Sequence, residues 1–145
     1  MTLVPRRARN VTDPCKSPAE IPSEDIQKFR ALAAWVLLGE PGAGKTEAFK
    51  MEAEATDGIC LRIAEFIDTN LDEDWRGKTL FLDGLDEIRA STGGDSTLMR
   101  VRSRLAHLGS PPFRIACRAA DWYGSSDVED LKSGSADGQI VVLQL

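Results

Sequence analysis

The amino-acid sequence predicts an α/β fold in which helices cover both faces of a mostly parallel, five-stranded sheet. Short apolar runs alternate along the 145 residues with segments of helix-forming composition, a pattern typical of parallel strands joined by helices. A glycine-rich loop separates the first of these runs from the next helical segment, and an aspartate ends a later run. Open parallel sheets bind their ligands at such positions, beyond the carboxyl ends of the strands. The sequence therefore predicts both a three-layer architecture and the edge of the sheet that carries the site.

The predicted strands are short and almost entirely apolar, as strands covered on both faces are. They occupy residues 34–38, 59–63, 79–82, 113–117 and 139–145. Helices are predicted over residues 46–55 and 64–70, between the first three strands. A further helix is predicted where apolar residues recur at helical spacing, and its core-facing stripe comprises Leu98, Val101, Leu105 and Leu108.

Two segments are predicted to be less regular than the rest. Residues 1–22 are rich in proline and polar groups and form the predicted basic N-terminal arm, whereas residues 23–145 form a single domain. Ser23 is predicted to cap a short helix in which Ile26 and Phe29 face inward. Residues 119–138 contain many small polar side chains, which predict a mobile connection with one helical turn at residues 127–132.

Composition excludes several classes of function. The chain is 42% hydrophobic and 28% charged, as soluble globular proteins are, and none of its apolar runs approaches the length of a membrane span. Its net charge of −5 argues against direct nucleic-acid binding. The basic start has no apolar segment of the signal-peptide kind, and the three cysteines lack metal-binding spacing. We therefore expect a cytoplasmic protein with no membrane contact.

The glycine-rich loop has the Walker A spacing, Gly-x-x-x-x-Gly-Lys-Thr. Its glycines can adopt backbone angles that turn successive N–H groups around an anion, and the following helix adds its N-terminal partial charge. Lys45 can reach β- and γ-phosphates, and the Thr46 hydroxyl can ligate Mg²⁺. The predicted phosphate-binding residues are Gly39, Glu40, Pro41, Gly42, Ala43, Gly44, Lys45 and Thr46.

A second motif follows the predicted strand at residues 79–82. Asp83 stands at the end of that strand, where its carboxylate can hold the same Mg²⁺ as Thr46, usually through water. Asp86 and Glu87 are predicted to follow on a loop, close enough to orient and polarise an attacking water. The metal ligands predicted from the sequence are thus Thr46 and Asp83, and the candidate catalytic carboxylates are Asp86 and Glu87.

Arg118 supplies a third candidate. It ends the predicted strand 113–117, so its guanidinium is expected in the same crevice, where it can sense or stabilise γ-phosphate charge. A surface arginine on a loop is the alternative at this position.

Together these motifs resemble the NACHT branch of the STAND ATPases. The resemblance rests on Gly-Glu-Pro-Gly-Ala-Gly-Lys-Thr from Gly39, Leu-Phe-Leu-Asp-Gly-Leu-Asp-Glu-Ile from Leu80, and Ile-Ala-Cys-Arg-Ala-Ala-Asp-Trp from Ile115. It covers about residues 33–145. Asp83 matches the family's Mg²⁺ aspartate, Asp86 and Glu87 match its distal acids, and Arg118 matches its sensor-1 arginine.

The resemblance implies a P-loop NTPase fold with strand order 5-1-4-3-2, as in the additional-strand NTPases. It implies that ATP or ADP, with Mg²⁺, is bound as a conformational switch in signalling, often in bacterial defence. It also implies protein partners, or C-terminal lid and sensor domains that follow such a core. Without those domains the nucleotide base is expected to be largely exposed, and binding weak.

Three functions compete at this point. The first is a NACHT-type ATPase that hydrolyses ATP slowly. The second is a non-catalytic nucleotide-binding or scaffold module that uses the same site. The third, an ordinary P-loop GTPase or small-molecule kinase, is the weakest, because the sequence contains no Asn-Lys-x-Asp motif for guanine. Turnover of ATP distinguishes the first two.

Overall fold

The computed structural model describes residues 7–12, 22–40, 44–92 and 97–145. Its centre is a mixed, seven-stranded sheet in the order β2-β1-β7-β3-β6-β5-β4. The strands are β1 (Arg7–Asn10), β2 (Glu24–Asp25), β3 (Ala34–Leu38), β4 (Ile59–Arg62), β5 (Leu80–Asp83), β6 (Phe113–Cys117) and β7 (Val141–Gln144). The helices are α1 (Lys45–Thr56), α2 (Ile63–Asp68), α3 (Leu85–Thr92), α4 (Thr97–His107) and α5 (Ser125–Lys132).

The strands β7, β3, β6, β5 and β4 are mutually parallel and are neighbours in that order. They correspond to the five predicted strands and to the order that the resemblance implies. In the register, Ala34 of β3 lies opposite Phe113 of β6, and Trp35 lies opposite Val141 of β7. All five residues of β3 and of β6 are buried, which explains their continuous apolar character.

The prediction of a five-stranded sheet is wrong, because β1 and β2 extend it by antiparallel pairing beyond β7. Residues 1–22 are therefore not wholly irregular. Arg9 pairs with Gln144, Val11 N donates to Val142 O at 2.7 Å, and the Thr12 hydroxyl accepts from Val142 N at 2.9 Å. These bonds satisfy backbone groups that β7 would otherwise present at an open edge. Residues 1–6 and 13–21 lie outside the described residues.

Helices cover both faces of the sheet. Trp35 and Leu37 point to the face on which α1 packs, where Phe49 makes edge contacts with the Trp35 ring at 5.9 Å and the Phe81 ring at 5.3 Å. The opposite face packs against α2, α4 and α5, and the predicted stripe of α4 is buried there, which confirms that prediction. Because successive strand side chains alternate, β3 contributes to two separate apolar layers.

Several predicted boundaries are wrong. Ile63 begins α2 and does not end a strand, and Asp83 is the last residue of β5. The predicted Ser23 cap is replaced by Asp25, whose side chain accepts from Gln27 N before a 3₁₀ turn over Ile26–Phe29. Ile26 and Phe29 are buried, as predicted.

The connection over residues 119–138 is more helical than predicted. A 3₁₀ turn covers Ala119–Asp121, and α5 begins two residues before the predicted helical turn. The buried side chains of α5 are Asp127 and Leu131, and a hydrogen-bonded charge in the interior is not visible as an apolar pattern. In the part of the chain that the structure describes, no helix combines the length and the apolar character that crossing a membrane requires.

Candidate functional site

A cavity of about 390 Å³ opens at the carboxyl ends of the parallel strands. Lys45, Asp83 and Arg118 reach it from three directions, after β3, at the end of β5 and after β6. Its full lining comprises Glu40, Gly44, Lys45, Thr46, Glu47, Asp83, Gly84, Asp86, Glu87 and Arg118. The three motifs found in the sequence therefore meet at one place.

The glycine-rich loop leads from β3 into α1. Gly44 has a φ of 95°, in the left-handed region that favours glycine, and its carbonyl accepts from Ala48 N at 2.9 Å to start the helix. The Lys45 ammonium donates to the Gly39 carbonyl, so its charge lies next to the residue that follows β3. Gly39 is buried, and its N–H donates to Cys117 O of β6 at 3.2 Å. The predicted Pro41, Gly42 and Ala43 lie outside the described residues.

Thr46 and Asp83 form the contact that joins the first motif to the second. The Thr46 hydroxyl donates to Asp83 Oδ2 at 3.2 Å, across 37 residues of sequence. The other carboxylate oxygen of Asp83 accepts from Gly84 N at 2.9 Å, and Gly84 has a φ of 90°. Two oxygen ligands thus lie side by side on the cavity wall.

These two oxygens fit the preferences of Mg²⁺, which takes oxygen ligands and keeps several waters. Among the described residues there is no cluster of three or more histidine, cysteine or carboxylate side chains arranged to hold a metal. An ion at Thr46 and Asp83 would accordingly take its remaining ligands from water and from a bound anion.

Asp86 and Glu87 lie in the first turn of α3, not on a loop as predicted. Leu85 is fully buried and packs the helix against the core. The two acids that follow it line the cavity. Glu87 accepts a hydrogen bond from Arg62, the last residue of β4, and both side chains of this pair are more than half exposed. The carboxylate proposed to polarise water therefore has a cationic partner that is not among the predicted site residues.

Arg118 lies between two acids. Its Nε donates to Asp121 Oδ2 at 2.7 Å and stands 3.7 Å from Asp86 Oδ2. The hydrogen bond to Asp121, and then its negative charge, raise the pKa of Arg118 above the ordinary value. The prediction that Arg118 belongs to the crevice is consistent with this position, since the residue lines the cavity together with Lys45.

Beneath this arginine, a buried ion pair joins α3 to α5. Arg89 donates to both carboxylate oxygens of Asp127 at 2.7 Å and to the Asp121 carbonyl at 2.5 Å. Asp127 also accepts from Tyr123 N at 2.6 Å, and the Tyr123 ring lies 4.0 Å from the Arg89 guanidinium. Burial opposes the charge of Arg89, but the hydrogen bonds and charge of Asp127 outweigh it, and the pKa of Arg89 is raised.

The cavity contains more negative than positive charge. Five acidic and two basic residues line it. Such a lining disfavours a free polyphosphate, because the acids repel it, and favours an anion that arrives with a divalent cation.

Sequence reasoning found most of this lining and missed its supports. Arg62 was predicted only as part of the strand at residues 59–63, and Asp121 only as part of the motif that begins at Ile115. The signal for Arg62 was available, since a charged residue ending an apolar strand next to the Asp83 strand must face the same edge. Arg89 and Asp127 carried no such signal, because neither belongs to a motif or ends a strand, and 38 residues separate them.

No protein-family model matches this chain, and no curated protein matches it at a significant level. The assignment of function consequently rests on the residues of the site.

Proposed function

We propose that this chain is a P-loop NTPase core that binds Mg²⁺-ATP in the cavity and hydrolyses it slowly, as a nucleotide-dependent switch of the NACHT type. The observation that carries the proposal is the hydrogen bond between Thr46 and Asp83, at 3.2 Å. It brings the end of the phosphate loop and the strand-end aspartate together at the cavity, as a nucleotide with its metal requires.

In this proposal the phosphates lie against the N-terminus of α1. The twelve-residue helix presents its unpaired amides and partial positive charge there. Lys45, now bonded to the Gly39 carbonyl, exchanges that neutral acceptor for phosphate oxygens, a stronger charge-assisted contact.

Thr46 and Asp83 would hold the Mg²⁺, which supplies positive charge to the phosphate oxygens when it is bound. The excess of acids in the lining makes binding strongly dependent on that cation. We expect ATP affinity to fall sharply when Mg²⁺ is chelated, although Lys45 and the helix terminus remain.

Hydrolysis requires a water in line with the γ-phosphate. Glu87, or failing that Asp86, would orient and polarise it, and Arg118 would balance charge on the phosphate, since all three residues line the cavity. The proton of the attacking water passes to the carboxylate or solvent as the bond to ADP breaks. Because Arg62 already occupies Oε2 of Glu87, that oxygen is not free to accept from the attacking water, and slow turnover follows.

The pairing of Glu87 with Arg62 also favours a second candidate, a nucleotide-binding module without turnover. Both candidate carboxylates already face an arginine, since Asp86 lies 3.7 Å from Arg118. In that case the nucleotide acts as a structural ligand. A signalling role, partners that include further domains and a place in bacterial defence rest on the resemblance alone, and a cytoplasmic location rests on composition.

One experiment tests the proposal and separates the candidates. ATP binding is measured by calorimetry with and without Mg²⁺, and phosphate release is followed on the same sample. We expect the parent to bind ATP in a Mg²⁺-dependent manner and to release phosphate slowly. Asp83→Ala should abolish the Mg²⁺-dependent binding and, with it, the release. Binding without release would favour the non-catalytic module, and no ATP or ADP binding in the presence of Mg²⁺ would overturn both.

A further inference from the structure

We propose that Asp121 is the positioning residue that presents Arg118 to the terminal phosphate. This inference rests on the proposed function and adds a residue to its site. Asp121 belongs to the third motif, in which Arg118 is the predicted site residue, and its role follows from the geometry around Arg118.

The local backbone brings the two side chains together. Arg118 precedes a 3₁₀ turn over Ala119–Asp121, and Asp121 N donates to the Arg118 carbonyl at 3.0 Å. In a 3₁₀ turn the side chains three residues apart lie over one another. The Asp121 carboxylate is consequently placed at the Arg118 side chain by the turn itself.

The atom that is contacted decides the role. Asp121 Oδ2 accepts from Arg118 Nε at 2.7 Å, and the weaker contact with Asp86 also uses Nε. Neither contact uses the two terminal nitrogens, which together can bind phosphate oxygens in a fork. A partner at Nε orients the guanidinium and does not occupy the part that would bind the nucleotide.

Asp121 is itself fixed by a hydrogen bond from helix α3. Its carbonyl accepts from Arg89 at 2.5 Å, and Arg89 is clamped by both oxygens of the buried Asp127. Arg89 belongs to α3, one turn beyond Asp86, so the helix that carries the candidate catalytic acids also anchors the turn that carries Asp121. The position of Arg118 is in this way tied to that of Asp86.

The consequence for binding is specific. Arg118 is 38% exposed, and an unrestrained side chain of this length loses rotamer freedom when it binds. Asp121 imposes part of that ordering before the nucleotide arrives. This smaller entropic cost favours the nucleotide whose terminal phosphate reaches Arg118, which is ATP, and not ADP.

Two variants separate orientation from charge. Asp121→Ala and Asp121→Asn remove the same negative charge from the neighbourhood of the phosphate, but only asparagine keeps an oxygen that can accept from Arg118 Nε. A difference between them therefore reports the hydrogen bond. Glu73→Ala is the matched control, because Glu73 accepts from Arg76 Nε at 2.6 Å in an exposed pair with the same spacing.

The measurement is the ratio of ATP to ADP affinity by calorimetry with Mg²⁺. We expect Asp121→Ala to lower this ratio about threefold to tenfold relative to Asp121→Asn, with ADP affinity and the thermal midpoint of the two variants alike. In an Arg118→Ala background the difference between alanine and asparagine should vanish, and Glu73→Ala should match the parent.

Equal ratios for the two Asp121 variants would overturn the role of Asp121, as would a difference that persists without Arg118. A higher ratio in Asp121→Ala than in Asp121→Asn would also overturn it, because the hydrogen bond at Nε would then hold Arg118 away from the phosphate. These outcomes leave the proposed function standing. A parent chain that binds neither nucleotide would remove the proposed function and this role together.

Discussion

Two of the arginine–carboxylate pairs that involve helix α3 differ in burial. Glu87 in its first turn pairs with Arg62, and the two side chains are 61% and 63% exposed. Arg89, two residues further along, pairs with Asp127, and both side chains are 2% exposed. The first pair lies at the cavity and the second beneath it, so one helix carries a solvated contact at the site and a desolvated anchor behind it.

The difference shows which contact a ligand can rearrange. An exposed ion pair contributes about 0 to 1 kcal/mol, because water solvates either partner when they separate. A buried pair gives little net stability, but removing one partner leaves an uncompensated charge in the interior and costs about 3 to 5 kcal/mol. Binding at the cavity can accordingly free Glu87 from Arg62, whereas the Arg89–Asp127 pair must stay intact.

The largest expected effect comes from the buried pair. Asp127→Asn removes the charge that balances Arg89 and should lower the free energy of unfolding by about 3 to 5 kcal/mol. Denaturant unfolding of the variant and the parent measures this. Asp137→Asn is a suitable control, since Asp137 is exposed and bonds only within its own turn. A loss of less than about 1 kcal/mol would show that the interior solvates Arg89 by other means.

The candidate catalytic acid gives the next effect. Glu87→Gln keeps the shape of the side chain but loses the charge that polarises water, so phosphate release should fall about 100-fold while Mg²⁺-ATP still binds. Single-turnover release and calorimetry on the same protein measure the two quantities. If Glu87→Gln releases phosphate at the parental rate, Asp86→Asn becomes the test. Parental rates in both variants would remove α3 from the chemistry.

The exposed pair should give the smallest effect on stability. Arg62→Gln is expected to change the free energy of unfolding by less than about 1 kcal/mol. Its effect on turnover should have the opposite sign to that of Glu87→Gln, because the Glu87 oxygen that now accepts from Arg62 becomes free to accept from the attacking water. Phosphate release should rise about twofold to fivefold, a fraction of the change that one proton-transfer group brings. A fall in the rate would mean that Arg62 orients Glu87 productively.

The contrast between buried and exposed segments also explains how much of the fold the sequence predicts. Strands β3 and β6 have the predicted bounds, because burial on both faces leaves a continuous apolar run. Strand β1 has the sequence Arg-Ala-Arg-Asn, which carries no such pattern, and its place depends on the unpaired edge of β7. Local composition does not encode that edge.

For the site, the residues that would touch a ligand are predicted and their partners are not. Lys45, Thr46, Asp83 and Arg118 belong to short motifs whose spacing reflects their chemistry. The pairing of Arg62 with Glu87 spans 25 residues, and that of Arg89 with Asp127 spans 38. Such contacts depend on which strands become neighbours, and the placement of α3 as a helix follows from the burial of Leu85 in the finished core.

The most direct test of the central claim is calorimetry of Mg²⁺-ATP binding to the parent, to Lys45→Ala and to Lys28→Ala. Lys28 is a 66% exposed lysine on the turn after β2 and is the matched control. We predict saturable binding to the parent and to Lys28→Ala. Lys45→Ala should bind tens-fold more weakly, a loss of about 2 to 3 kcal/mol for one charge-assisted contact. Equal affinity for the parent and Lys45→Ala would contradict the assignment of this cavity as a nucleotide site.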